Sequence, residues 1–354
     1  MPFPFAPLSP LLVLPSLGYA GVIRLRACLY QKGLFRTRRL PRPVVSVGNL
    51  TFGGTGKTPL TMFIATRLLD WGMVPVLLSR GYGRRAPDRS HIVPPPDPVD
   101  PVEFGDEPAL IRRRVPPMWL GLGKDRHKSG LEVLKSVPEA VFLLDDGFQH
   151  LQLHRDLNIL VIDSSQPLEE NRVAPLGTLR EPLGGLARAH AVCLNGPSRP
   201  GLESSLSGYA GRPGGEAWLY HFRQHIAAIL PYGQWMEGLD SGPPATPVRT
   251  AYLVAAIANP RRFRRDVEEL AIEVKGCRYF RDHSRIAAEQ WKHCAREARR
   301  LKAEAIITTE KDAVKIGNPP SFPLMVAVQR TTFAEGEKFE GLLREACHGG
   351  RQRH

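Results

Sequence analysis

Acidic side chains are missing from the first 69 residues of this 354-residue chain; Asp70 is the first. Charge of either sign is missing from Met1 to Ile23. Cysteine is scarce and scattered, at Cys28, Cys193, Cys277, Cys294 and Cys347, with no C-x-x-C pair. That spacing excludes a disulfide framework and offers no zinc-ligand pattern, so reduced thiols in a reducing compartment are expected. Internal repeats are lacking too, which excludes a solenoid. An uninterrupted membrane-length run is absent: prolines stand at positions 2, 4, 7, 10 and 15, and Leu11 to Ile23 is only 13 residues. About 20 are needed to cross a bilayer. A secretory signal would place its basic residues first; here they come last.

What is present fits a globular protein of up to two domains, with 42% apolar and 23% charged residues. Net charge is +13, and seven basic residues crowd between Arg24 and Arg42. An uncharged apolar stretch followed by a basic one suits an anionic membrane surface, where each cation near the headgroups contributes about 1 kcal/mol. A helix starting near Pro10 and lying in or dipping into the cytoplasmic leaflet is the expectation. Its competitor is a helix packed on its own domain. Nucleic acid could use the same charges, but it leaves the apolar stretch without a role, and no aromatic-basic interleaving supports it.

"VVSVG" (Val44 to Gly48) reads as a buried strand, followed by "NLTFGGTGKTPL" and then a helical spacing of Leu60, Phe63, Ile64 and Leu68. Strand, glycine-rich turn, lysine, hydroxyl and helix make a phosphate-binding loop credible. Its pattern calls for glycine six residues before the lysine, where this chain has Thr51. The amides from Gly53 to Thr58 must point at phosphate oxygens, and Gly53, Gly54 and Gly56 permit that approach. With Phe52 and Thr55, these residues are the expected nucleotide contacts. Lys57 reaches the β- and γ-phosphates, and the Thr58 hydroxyl ligates Mg²⁺. "VFLLDDGFQH" supplies Asp145 and Asp146 at a strand end, the usual place for a second metal acid. The bland readings are a glycine-rich turn and a capping aspartate.

Further runs, "VPVLLSRGYG", "EAVFLLDDG" and "LNILVIDSS", read as buried parallel strands. "FGDEPALIRRR" puts Asp106 and Glu107 before a helix, where an N-cap is as good a reading as a site. "PLGTLREPL" pairs Arg180 with Glu181, which in isolation reads as a surface ion pair. His283 follows Asp282, and adjacency in sequence decides nothing about geometry. "TTEKDAVK" sets Lys311 against Asp312 without the spacer of N-K-x-D, which argues against guanine specificity. Downstream, "TAYLVAAIA", helical "RRFRRDVEELAIEV", helical "AAEQWKHCAREARRLKAEA" and "AIITT" suggest a second, smaller α/β unit.

"SVGNLTFGGTGKTP", "LLSRGYGRR", "GDEP", "LLDDGFQH", "PLGTLREPL", "RDHSR" and "TTEKDAVK" occur in the order found in tetraacyldisaccharide 4′-kinases of lipid A synthesis, which this chain resembles from its N-terminal helix to Lys315. The resemblance implies Mg²⁺- and ATP-dependent phosphorylation of the 4′-hydroxyl of a tetraacylated glucosamine disaccharide 1-phosphate. It implies a peripheral enzyme on the cytoplasmic face of the inner membrane, with no nucleic acid and no obligate protein partner. In it, Asp106 looks like the base toward the sugar hydroxyl and His283 like its partner across the cleft. Lys57 and Thr58 keep their loop roles, and Asp145 and Asp146 look like metal-side acids. Arg180, Glu107 and Glu181 look like supporting site residues, with Arg180 neutralising charge. Thr51 looks like the family's own form of the loop entrance. Two segments depart from the pattern: "AAIANPRRF" has less glycine, and Ser284 and Ile286 stand where aromatics are common.

The expected fold is α/β: a P-loop NTPase-like parallel sheet core, a second, smaller α/β C-terminal domain, and an N-terminal membrane-associated helix. The expected boundaries are 1–42 for the apolar helix and basic segment, 43–215 for the core, 216–247 for a linker, 248–340 for the smaller domain and 341–354 for a tail, with "HGGRQRH" disordered. The competing function is a membrane-associated regulatory or transport ATPase that uses the loop as a switch. A nucleic-acid-dependent ATPase is the third.

Overall fold

The computed structural model describes residues 9–81, 90–165, 168, 171–197, 199–207, 219–238 and 248–349. Twelve described strands form one sheet: β1 (Val44–Gly48), β2 (Val74–Ser79), β3 (His91–Val93), β4 (Trp119–Leu122), β5 (Ala140–Asp145), β6 (Leu157–Asp163), β7 (Ala191–Asn195), β8 (Leu219–Pro231), β9 (Thr250–Ala255), β10 (Glu273–Tyr279), β11 (Ala305–Thr309) and β12 (Leu324–Phe333). The helices are α1 (Ser9–Gln31), α2 (Lys57–Asp70), α3 (Pro101–Phe104), α4 (Asp106–Arg114), α5 (Arg126–Leu134), α6 (Leu202–Ser207), α7 (Tyr232–Met236), α8 (Pro260–Glu268), α9 (Ala288–Arg300), α10 (Glu310–Ala313) and α11 (Gly336–Gly349).

The strand order is β10-β9-β11-β12-β8-β7-β6-β1-β5-β2-β4-β3. From β8 to β4 every pair is parallel, and so is every pair from β10 to β12. The two parallel halves meet at the antiparallel β8–β12 pair. Their strands therefore point their carboxyl ends at each other. β7 ends where Asn195 faces Phe222 of β8. β11 ends where Thr309 faces Ala327, itself opposite Ile229 of β8. Seven residue steps along β8 separate these levels, roughly 23 Å at the rise of a strand. A cleft between two sets of carboxyl-terminal strand ends is where an open α/β sheet binds its ligand.

The segment read as a linker, 216–247, instead holds β8, the longest strand, together with α7. His221, Arg223, Gln224 and His225 break its apolar run, because much of β8 borders the cleft or solvent instead of a core. "AIEV", read as the end of a helix, opens into β10 after α8 stops at Glu268. The expected tail also differs. α11 runs to Gly349 and buries Phe339, Leu343 and Cys347 in the core beneath α2. These three follow helical spacing, and Phe339 and Leu343 each contribute about 1.5–3 kcal/mol by burial. Phe333 stacks on Phe339 at 4.3 Å and meets Phe63 of α2 at 5.1 Å, tying the chain's end to the phosphate-loop half. Residues 350–354 of the expected disordered tail, part of "RGYGRR", and parts of "NGPSRPGLESSLSGYAGRPGG" (195–215) and "GLDSGPPATP" (238–247) lie outside the described residues. All five cysteines are free thiols.

α1 is longer than the 13-residue uncharged run, because Arg24 and Arg26 continue the helix. Pro10 to Gln31 contains an 18-residue window with a mean hydropathy of 1.4, of which 11% is buried, so the helix is long and apolar enough to cross a membrane by length and composition. Leu11, Leu14, Leu17, Val22 and Leu25 are all exposed and share one face roughly 140° wide at 100° per residue. The opposite face packs on the body through buried Ala20 and a Ser16 hydroxyl that donates to the Val173 carbonyl at 2.6 Å.

Candidate active site

The phosphate loop leaves β1 and turns sharply into α2. Gly53 and Gly56 take φ values of 113° and 99°, which L side chains rarely adopt. A Cβ at Gly56 would also collide with the Asn195 and Gln224 amides. Those amides fix the loop from the end of β7 and from within β8. Asn195 Nδ2 donates to the Thr55 carbonyl at 2.9 Å and Gln224 Nε2 to the Gly56 carbonyl at 3.1 Å. Carbonyls held from outside leave the loop amides free to face a phosphate.

"PLGTLREPL" lies against the loop entrance. Phe52 N donates to the Thr178 carbonyl at 2.8 Å, Arg180 N to the Leu50 carbonyl at 2.7 Å, and Thr51 bridges to Leu179. Thr51 thus serves the scaffold, outside the cavity lining. The same pairing carries the Arg180 guanidinium to Asp146, at 2.8 and 2.7 Å. Lys57 Nζ lies 3.4 Å from Asp146 Oδ1. Asp146 has a φ of 52°, a left-handed conformation uncommon for a residue other than glycine. Burial raises its carboxyl, but Lys57 and Arg180 outweigh that and hold it below the ordinary range. Asp145, one residue back on β5, accepts from the Asp146 amide at 3.1 Å and from the Thr61 hydroxyl at 3.5 Å. Burial, with Glu107 and Asp146 nearby, pushes its carboxyl up.

A cavity of about 780 Å³ opens between the halves, lined by Phe52 to Pro59 with Glu107, Asp145, Asp146, Arg180 and His283. Asp106 opens α4, behind Gly105 whose φ of 99° and ψ of 154° suit glycine. It is not the N-cap. Its Oδ1 accepts from the Glu107 amide at 3.0 Å and its Oδ2 meets His283 Nδ1 at 3.1 Å, across 177 residues of sequence. Burial raises the Asp106 carboxyl, but the His283 hydrogen bond and the Lys311 charge together hold it below its ordinary value. The hydrogen bond to Asp106 raises His283, opposed by burial and by Lys311. Glu107 lies 3.7 Å from Lys311.

Glu181 does not join this cavity. It is 3% exposed, bonded to Gln149 Nε2 at 2.8 Å and paired with Arg188 at 2.5 Å. It lines a smaller pocket of about 290 Å³ beside Tyr19, Ile23 and Arg26 of α1. Sequence reasoning missed Lys311, Asn195, Gln224 and Arg126. No local pattern marks the last three; Lys311 stood in a recognised motif but was weighed only against guanine. Arg126 is lowered to about 10 by burial and by Arg80. His150, 3.4 Å from Arg126, is lowered to about 3 by burial and by Arg126.

Among the described residues no group of three or more His, Cys, Asp or Glu is arranged as a metal site. The oxygen donors at the loop nevertheless suit magnesium, which takes one or two carboxylates beside phosphate and water. Asp145 fits best, since its buried carboxyl lies among Glu107 and Asp146, whereas Asp146 is already engaged by two cations.

Residues 8–348 match the family model described as tetraacyldisaccharide-1-P 4′-kinase. A protein of Geobacter metallireducens named tetraacyldisaccharide 4′-kinase is 38% identical over 321 residues, covering 87% of this chain and 88% of its own. One of Desulfotalea psychrophila with the same name is 35% identical, covering 93% and 94%. The "apo" form of LpxK from Aquifex aeolicus, in complex with ATP, superposes with a TM-score of 0.75 at 29% identity, over 96% of this chain and 99% of that one. On these matches, the chain belongs to the tetraacyldisaccharide-1-P 4′-kinase family.

Proposed function

We propose that this chain transfers the γ-phosphoryl group of ATP to the 4′-hydroxyl of a tetraacylated glucosamine disaccharide 1-phosphate. The observation that carries the site assignment is the Asp106–His283 contact at 3.1 Å, made between opposite halves, with His283 lining the cavity that the phosphate loop also lines. A sugar hydroxyl is a poor nucleophile, and a carboxylate within hydrogen-bond reach helps to remove its proton. Asp106, held below its ordinary titration, is ionised at neutral pH and so able to accept that proton. It is a weak base, so most of the acceleration falls to positioning and charge neutralisation. Lys57 and Arg180 supply positive charge from the loop side. Thr58 and Asp145 would hold Mg²⁺, which when bound neutralises charge on the phosphates. Glu107 supports the site through Lys311, and Glu181 supports it indirectly by fixing Gln149 and Arg188.

The exposed face of α1 and the basic segment after it support attachment to the cytoplasmic leaflet of a bacterial inner membrane. An acceptor whose acyl chains stay in the bilayer would then meet the cleft with its headgroup. The domain reading becomes one of two halves of a continuous sheet, with the substrates between them. The test is transfer of ³²P from Mg²⁺-ATP to the defined acceptor. Transfer that Asp106→Ala abolishes supports the reading. Full transfer by a folded Asp106→Ala sinks the proposed base, and ATP hydrolysis indifferent to acceptor favours the regulatory ATPase.

A further inference from the structure

The cavity that holds the phosphate loop extends along α8. The turn entering α8 lies over the loop: a Cβ at Gly54 would sit 3.6 Å from that of Ala258. Asn259 caps the helix, its side chain accepting from the Arg262 amide at 3.2 Å. The Arg262 guanidinium donates to Asn195 Oδ1 at 3.2 Å, and Asn195 Nδ2 donates to the Thr55 carbonyl at 2.9 Å. Two side-chain hydrogen bonds therefore tie α8 to the loop. Asp266 follows Arg262 by four residues, which puts both on one face of the helix. It lies about 6 Å further along the helix axis. Phe263 and Val267 anchor the adjoining face in the core.

Two polar side chains on these walls are buried with an atom unmet. Asp266 is 9% exposed and Thr55 5%, and both line the cavity. Among the described residues, neither Asp266 Oδ2 nor Thr55 Oγ1 has a hydrogen-bond partner. Arg262 Nε stands 3.7 Å from Asp266 Oδ2, and Arg265 stands 4.0 Å from Oδ1. Both cations lie beyond hydrogen-bond reach. Burial raises the Asp266 carboxyl, against the pull of Arg262 and Arg265. A buried acceptor without a donor costs stability, and a ligand that donates to it removes the cost. A carboxylate repels phosphate, so the phosphates belong at the loop end of the cavity and a different group belongs at Asp266. A nucleoside triphosphate has this polarity. Its phosphates are acceptors, and its far end carries hydroxyl and amino donors.

We propose that Asp266 reads the nucleoside end of the nucleotide: its Oδ2 accepts a hydrogen bond from a ribose hydroxyl or from the 6-amino group of the base, while the loop holds the phosphates. The inference rests on the reading of this cleft as the ATP site. Asp266 touches no reacting atom; it sets which nucleoside triphosphate is held. Arg262 positions it, carrying α8 to the loop through Asn195. Nucleoside selection then lies on a helix of the opposite half, and no N-K-x-D pattern is needed for it.

Calorimetric titration of the full-length protein tests this with Mg²⁺ and four nucleotides: ATP, 2′-deoxy-ATP, 3′-deoxy-ATP and purine riboside triphosphate, which lacks the 6-amino group. One of the three analogues binds the wild type about tenfold or more weakly than ATP, and it names the donor. In Asp266→Ala, ATP weakens to the level of that analogue, whose own affinity stays within about twofold. Asp266→Asn keeps the size of the side chain and loses the charge, so it narrows the preference severalfold. Equal binding of all four nucleotides by the wild type overturns the proposal without any variant. A wild-type preference kept by either folded variant overturns it too. Failure to bind Mg²⁺-ATP at all defeats the ATP site and this inference together. Absence of transfer to the acceptor, with the nucleotide preferences as expected, defeats the kinase reading and leaves the role of Asp266 standing.

Discussion

The two halves of the sheet point their strand ends into one cleft but equip it differently. In the phosphate-loop half, β1, β5, β6 and β7 are buried along their whole length, and backbone does much of the work. Loop amides and a helix N-terminus line the cavity, with Lys57 and paired aspartates beside them. In the other half the edge strand β10 is half exposed, and the cavity is lined by side chains that follow strands: His283 after β10 and Lys311 after β11. Holding a polyphosphate needs rigid dipoles, which a buried parallel core secures. Handling one proton needs a few side chains at set distances, which short turns can present. α4 spans the division. Its first residue meets His283 and its last, Arg114, meets Glu310 at 3.1 Å.

This division of labour can be broken by mutation. The largest effect is expected for Asp106→Asn, a loss of about 10²–10⁴ in kcat. His283→Ala should cost less, about 10–10²-fold, and the double variant should be no worse than Asp106→Asn alone. Additive losses in transfer assays would mean that the halves act independently. Next is the buried Arg114–Glu310 pair, whose partners are 6% and 5% exposed. Glu310 also accepts from Trp235 Nε1 at 3.2 Å and from the Gln329 amide at 2.9 Å. Glu310→Gln should destabilise the protein by about 3 kcal/mol, read by denaturant unfolding; an unchanged midpoint would show that the halves do not depend on this pair.

A smaller change is expected for the attachment of the phosphate-loop half to lipid. Replacing Leu11, Leu14 and Leu17 by Gln should release the protein from anionic vesicles in flotation assays while leaving ATP binding intact. Retained flotation would shift the weight to the basic segment. The smallest effect concerns pH. Asp106 is lowered from 3.8, so its contribution is present above that value and fades as pH falls through the lowered one. His283 is raised from 6.5, so its contribution is full below 6.5 and fades as pH rises through the raised value. The Tm difference between wild type and His283→Ala should be greatest between about pH 4 and 6.5 and should shrink by pH 8. A difference that grows toward pH 8 would contradict the ion pairing of the two halves.

Legibility in the sequence followed the locality of each interaction. The loop, β1, β5 and the double aspartate could be read because contiguous residues make them. Thr51 and Glu181 carried recognisable motif letters, yet one braces the loop entrance and the other is buried with Arg188 and Gln149. β8 was hidden by the polar residues it needs beside the cleft. α11 was overlooked although Phe339, Leu343 and Cys347 repeat at helical spacing, since its partners lie in α2, far away in sequence.

The sequence alone determined that a phosphate loop exists, that an uncharged apolar stretch precedes a basic one, and which family the chain resembles. Each is a property of consecutive residues: glycines that permit unusual dihedrals, periodic apolar side chains, and charge counted along the chain. Tertiary structure alone decided that Asp106, His283 and Lys311 form one hydrogen-bonded chain and that Asn195 and Gln224 brace the loop. The first depends on the register of the antiparallel β8–β12 pair, which turns two parallel half-sheets to face each other, and the second on the parallel pairing from β1 through β6 and β7 to β8. Register is fixed by which faces are buried along both strands at once, and no single stretch of sequence contains that.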